Sequence, residues 1–81
     1  MEPTTAFKEL VEYIVTSLVD YPEQVTIRET DERDVVMLEI SVASSDMGRV
    51  IGKGGKVINS IRTLVQVLAA KQGKRISLEV L

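Results

Sequence analysis

The chain has no cysteine, no histidine and no tryptophan, and only three aromatic residues, Phe7, Tyr13 and Tyr21. Without cysteine there is no disulfide framework, thiolate nucleophile or thiolate metal site. Without histidine the commonest general base and the commonest transition-metal ligand are missing. The expectation is a protein that is not an enzyme and holds no cofactor and no metal. No apolar run approaches the roughly 18 residues of a membrane helix. The opening MEPTTAFKEL lacks the basic and apolar regions of a signal peptide, so a cytoplasmic protein without membrane insertion is expected.

What is present suits a small core. The 81 residues are 44% apolar and 27% charged, and are read as a single domain spanning 1–81. The net charge of −2 conceals a division along the chain. Residues 1–46 carry three basic and eleven acidic side chains; residues 47–81 carry seven basic ones and a single acid, Glu79. Either the fold interleaves the two halves and averages the charge, or the second half offers a surface to a polyanion.

Periodicity divides the chain into six elements. Residues 4–19 place Phe7, Leu10, Val11, Ile14 and Leu18 on one helical face, with Thr4 or Thr5 available as a cap. Pro22 ends that helix. Residues 24–30 and 35–43 alternate as strands, with Val25 and Ile27 inward in the first and Val36, Leu38, Ile40 and Val42 in the second. The DERD stretch between them reads as a solvated hairpin turn, and its spacing fits no calcium loop. Ser44 or Ser45 can cap a short helix reaching Ile51. A longer helix, 56–72, carries a stripe of Val57, Ile58, Ile61, Leu64, Val65 and Leu68 and stops at Gly73. The segment RISLEVL closes as a strand with Ile76, Leu78 and Val80 inward. Val15, Val35, Met37 and Val67 fall off the inward faces; clustered, they would mark a partner surface. The order α-β-β-α-α-β predicts an α+β fold, with a three-stranded sheet covered on one face by three helices.

Between the last two helices lies Gly52-Lys53-Gly54-Gly55. A P-loop is excluded, because Val57 follows Lys56 where serine or threonine is required and Val50 stands where the first glycine belongs. A dinucleotide fingerprint fails at Val57 as well, and a short helix precedes where a strand is needed. A helix-loop-helix reading remains. Glycines remove the side-chain wall and permit φ > 0, so a sugar-phosphate backbone can lie against the main chain. The next helix offers unpaired N–H groups and its positive dipole end. Lys53 and Lys56 add charge, and Arg49 stands one turn before the loop. Asn59 and Arg62 share the polar face of the long helix, either as a solvated face or within reach of a nucleotide.

The run VIGKGGKVI, Val50 to Ile58, resembles the GXXG signature of KH domains. The element order resembles the type II, bacterial KH arrangement, and the likeness extends over about residues 5–81 to the small RNA-binding proteins of the KhpA family. The resemblance implies single-stranded RNA held along a groove, with its backbone on Gly52, Lys53, Gly54 and Gly55. Val50, Ile51 and Ile58 match the apolar positions around that loop. It also implies self-association, or pairing with a larger KhpB/Jag-like KH protein. The corresponding roles are post-transcriptional regulation or RNA chaperoning, linked in some bacteria to cell-envelope growth, cell shape and division. No aromatic residue lies near the loop in sequence, so base stacking on rings is not expected, and one copy should bind weakly. The competing expectation is a small interaction subunit with little RNA binding of its own.

Overall fold

A computed structural model describes the backbone of residues 3–81 and the side chains of residues 7–81. Helix α1 spans Pro3–Leu18, strands β1 and β2 span Thr26–Glu32 and Val35–Ser41, helices α2 and α3 span Met47–Ile51 and Lys56–Lys71, and strand β3 spans Arg75–Val80. Short 3-10 turns at Pro22–Gln24, Ser44–Asp46 and Lys53–Gly55 join them. The expected α-β-β-α-α-β order is therefore present, and with it the α+β arrangement of a type II KH fold.

β2 is the central strand. It pairs antiparallel with β1, from Thr26↔Ser41 to Glu32↔Val35, and parallel with β3, from Val35↔Arg75 to Ile40↔Val80. Alternation places Ile27, Val36, Leu38, Ile40, Ile76 and Leu78 on one face, all buried beneath the helices. From above, Phe7, Val11 and Val15 of α1, Val50 of α2, and Ile58, Ile61, Val65 and Ala69 of α3 complete one core. Each large side chain fully buried there contributes roughly 1.5–3 kcal/mol relative to exposure.

Several expectations shift. The hairpin is tighter than DERD suggested: β1 continues to Glu32 and only Arg33 and Asp34 turn, Arg33 at φ 56°. β1 is an edge strand, so Asp31 and Glu32 join the ladder with their carboxylates still in solvent. At the other end β1 starts at Thr26, because Pro22–Gln24 coil into a 3-10 turn, and β2 stops at Ser41 rather than continuing to Ala43. In α1 the buried line is Phe7, Val11, Val15; Leu18, the last residue of the helix, is exposed. In α3 the buried line is Ile58, Ile61, Val65, Ala69, so Leu64 and Leu68 of the expected stripe face outward. The expected cap at Thr4 or Thr5 lies outside the described side chains.

Candidate nucleic-acid interface

The site begins with how α2 is held. Neither serine before it caps it: the N-cap is Asp46, and its carboxylate does not bond to the helix it precedes. Asp46 is the one buried charged residue among those described, with 0% exposure. Its Oδ1 accepts the Asp20 N–H at 3.0 Å and its Oδ2 the Tyr21 N–H at 3.1 Å. A buried carboxylate is tolerable only when such bonds replace its water. The bonds fasten the start of α2 to the chain leaving α1. Arg49, on the exposed side of α2, reaches the same corner, with Nη2 3.3 Å from the Asp20 carboxylate. Sequence reasoning missed Asp46. The available signal was an acidic residue directly before the helix; its partners lie about two dozen positions away and leave no local trace.

α2 closes with the Gly52 N–H donating to the Gly48 carbonyl at 2.9 Å. Gly52 then adopts φ 79°, ψ 169°, a region essentially restricted to glycine. A Cβ there would sit 2.5 Å from Val57 Cγ2 and 2.7 Å from the Val57 nitrogen, so α3 presses directly on this main chain. Gly54 also has positive φ, 63°, but a Cβ on it would meet nothing within 4 Å. The first of the loop's three glycines is thus a packing contact, and the second is bare backbone in solvent. Lys53 and Lys56 flank it, exposed and outside every ion pair among the described residues.

The other sequence-selected residues divide by depth. Val50 (0% exposed) and Ile58 (7%) are core side chains on either side of the loop, while Ile51 is half-buried and packs against the core. Asn59 lies beneath the loop, its Nδ2 3.3 Å from where a Gly55 Cβ would be. Its Oδ1 accepts Arg62 Nη1 at 2.6 Å, and Arg62 Nη2 donates to the Leu78 carbonyl at 3.0 Å. Arg62 is therefore not a freely solvated side chain. It braces the middle of α3 against β3, and the chain of contacts runs from loop to sheet edge.

Charge is partly interleaved, as one of the two opening possibilities held. Arg49 with Asp20 and Lys74 with Asp31 (3.4 Å) join the basic half to the acidic half. Glu29 is on the inward face of β1, away from the loop. Burial pushes its carboxyl above the usual carboxylate range and Asp31 adds to this, while Lys8 and Lys74 oppose it. Among the described residues no cluster of acidic side chains has the makings of a metal site. No helix among them is long and apolar enough to cross a membrane.

Comparison with known proteins identifies the family. A family model described as "KhpA/KhpB, KH domain" matches residues 8–80. RNA-binding protein KhpA of Clostridium perfringens is 45% identical over 74 residues, covering 91% of this chain and 99% of the relative. The protein of the same name from Chlamydia pneumoniae is 43% identical, covering 91% and 95%. A solved structure of Era from Aquifex aeolicus, bound to GDP and an aluminium fluoride, superposes with a TM-score of 0.69. That match covers 99% of this chain and 31% of Era at 18% identity, and speaks to the fold alone. With the model match spanning nearly all of the chain and the relatives aligned over nine-tenths of it, the chain belongs to the KhpA/KhpB KH-domain family.

Proposed function

We propose that this protein binds single-stranded RNA by laying the sugar-phosphate backbone on the Gly52–Gly55 loop. The observation that carries the reading is the open main chain at Gly54, with two lysines beside it that lie outside every ion pair among the described residues and the first turn of α3 behind it. Backbone N–H groups and the helix dipole favour phosphate there, and Lys53 and Lys56 supply full charges. Arg49 contributes less, because Asp20 already neutralises it. The relatives named as RNA-binding proteins support the reading. In the cell the role is that of a cytoplasmic, non-enzymatic post-transcriptional regulator or RNA chaperone.

A partner belongs to the proposal. Leu64, Val67 and Leu68 form an exposed apolar strip on α3, at 58%, 57% and 41% exposure. It supports self-association or pairing with a KhpB/Jag-type KH protein, either of which would add the affinity that one loop without aromatic residues lacks. The same strip favours the second reading, an interaction subunit with little RNA contact. Copurifying RNA that disappears on nuclease treatment separates the two.

The direct test replaces Lys53 and Lys56 with aspartate. The circular dichroism spectrum and urea midpoint should stay near those of the wild type, since both side chains are exposed. RNA affinity should fall at least tenfold, and the slope of log K against log salt should flatten by about 1.4, two phosphates at roughly 0.7 each. Unchanged affinity would remove the loop from the account.

A further inference from the structure

The helices cover one face of the sheet. The other face carries the alternate residues of all three strands, exposed throughout except for the half-buried Glu39. A solvated face is ordinarily polar at every second position, and strands covered on both sides are the ones that read as unbroken apolar runs. β2 opens with such a run, Val35-Val36-Met37-Leu38. Its outward members, Val35 and Met37, lie on the central strand of the open face, each 37% exposed.

The charges around them are unmatched within one copy. The registers set Arg28, Glu39 and Glu79 in one row across the sheet, and Glu32, Val35 and Arg75 in another, with Met37 in the row between. Glu39 and Glu79 are direct neighbours, an unfavourable like-charge pair. Arg28 reaches Glu39 only at 4.0 Å and stays 79% exposed. Glu32, Arg75 and Glu79 lie outside every ion pair among the described residues. With more carboxylates than cations the face does not suit RNA.

Its four corners alternate in sign, Arg28 and Arg75 on one diagonal and Glu32 and Glu79 on the other. Such a pattern is complementary to itself when a second copy is turned over onto it about a two-fold axis in the plane. The axis that crosses the strands at Met37 sets Arg28 over the partner's Glu32, Arg75 over the partner's Glu79, and Met37 against its own counterpart. It also keeps Glu39 off its own counterpart. Aligned sheets pack about 30° apart, which shifts rows two residues from Met37 by about 3 Å, within reach of arginine and glutamate side chains.

We propose that the open face of the sheet is where two copies of this chain pair, in a weak face-to-face dimer. Three strands of about seven residues present roughly 330 Å² per copy. That is less than half the roughly 800 Å² each partner gives a standard interface, so the pairing depends on concentration. Both helical layers then face outward, and the α3 strip of Leu64, Val67 and Leu68 is left for a different partner. The pairing does not rest on the RNA reading and is measured without RNA.

Sedimentation velocity of nuclease-treated protein, from about 10 µM to about 1 mM, should show a monomer–dimer equilibrium in the wild type. Arg28→Glu/Arg75→Glu makes all four corners negative, and Glu32→Arg/Glu79→Arg makes all four positive. Each alone should raise the dissociation constant about tenfold or more. Their equimolar mixture should associate at least as tightly as the wild type. Met37→Asp should abolish the wild-type dimer and, placed in both corner variants, the mixed one. Urea midpoints near the wild-type value show that the exposed substitutions leave the fold intact, and Met37→Asp decides the matter should a corner variant not fold. A wild type monomeric throughout, corner variants that dimerise normally, or a mixed pair indifferent to Met37→Asp would overturn the proposal. So would a dimer lost in Leu64→Asp/Leu68→Asp and kept in Met37→Asp, which would put self-association on α3.

Discussion

The two ends of α2 solve opposite problems within nine residues. At its start, the Asp46 carboxylate is wholly buried, and each of its oxygens accepts a main-chain N–H. At its end, the main chain from Lys53 to Gly54 lies exposed, with open space where the Gly54 side chain would be. One end has its polar groups satisfied within the protein, and the other leaves its main chain open to solvent. The difference shows why a helix of only five residues can present a loop. A helix this short has little stability of its own, so its direction must come from contacts at its ends. The loop can stay bare because the corner behind it is saturated.

Breaking the corner should have the largest effect. Asp46→Ala removes a charged acceptor from two N–H groups and should cost about 3 kcal/mol. Urea unfolding would read it directly, and the melting temperature should fall by more than about 10 °C in a domain of this size. A loss under about 1 kcal/mol would mean the corner does not hold α2. The loop glycines should then separate from each other. Gly52→Ala drives a methyl group into Val57 at a φ that disfavours it, and should destabilise by about 2 kcal/mol. Gly54→Ala meets no neighbour and carries only the left-handed backbone cost, about 1 kcal/mol. Its effect on RNA affinity should be the larger one, because the methyl group stands where a phosphate would approach. Paired unfolding and binding titrations check both. The smallest change joins the two regions. Asp20→Asn keeps the N–H bonded to Asp46 and frees Arg49 from its ion pair. Stability should move by less than about 0.5 kcal/mol, as for other exposed pairs. RNA affinity should rise a few-fold, with a steeper salt slope. Adding Arg49→Ala should cancel the rise.

Much of this was legible from the residues. Alternation in VVMLEIS and RISLEVL placed β2 and β3 because their buried faces repeat every second residue, and VIGKGGKVI marked the loop because glycine clusters have few other uses between helices. What escaped was set by contacts distant in sequence. Periodicity cannot choose between Leu18 and Val15, about 60° apart around the helix, and it admits both Leu68, seven residues after Ile61, and Ala69, four after Val65; the sheet beneath decides. A small residue at 69 lets the end of α3 settle against the core, which hydrophobicity alone ranks below leucine. Asp46 looked like one more polar residue before a helix, and Arg62 like one more charge on a solvated face. Both identities depended on partners brought close only by folding.

The sheet registers carry one more consequence. Glu32 pairs with Val35 across a two-residue turn, whereas Val35 pairs with Arg75 on the far side of both later helices. The hairpin therefore closes a short loop and the parallel pairing a long one, which is entropically costlier and slower to find. The glycine segment lies inside that long connection, and the Arg62 bond that ties α3 to β3 forms only once β3 is in place. A nascent or partly unzipped chain would carry the same lysines and glycines without that brace, so any hold on a strand should strengthen as the parallel ladder forms.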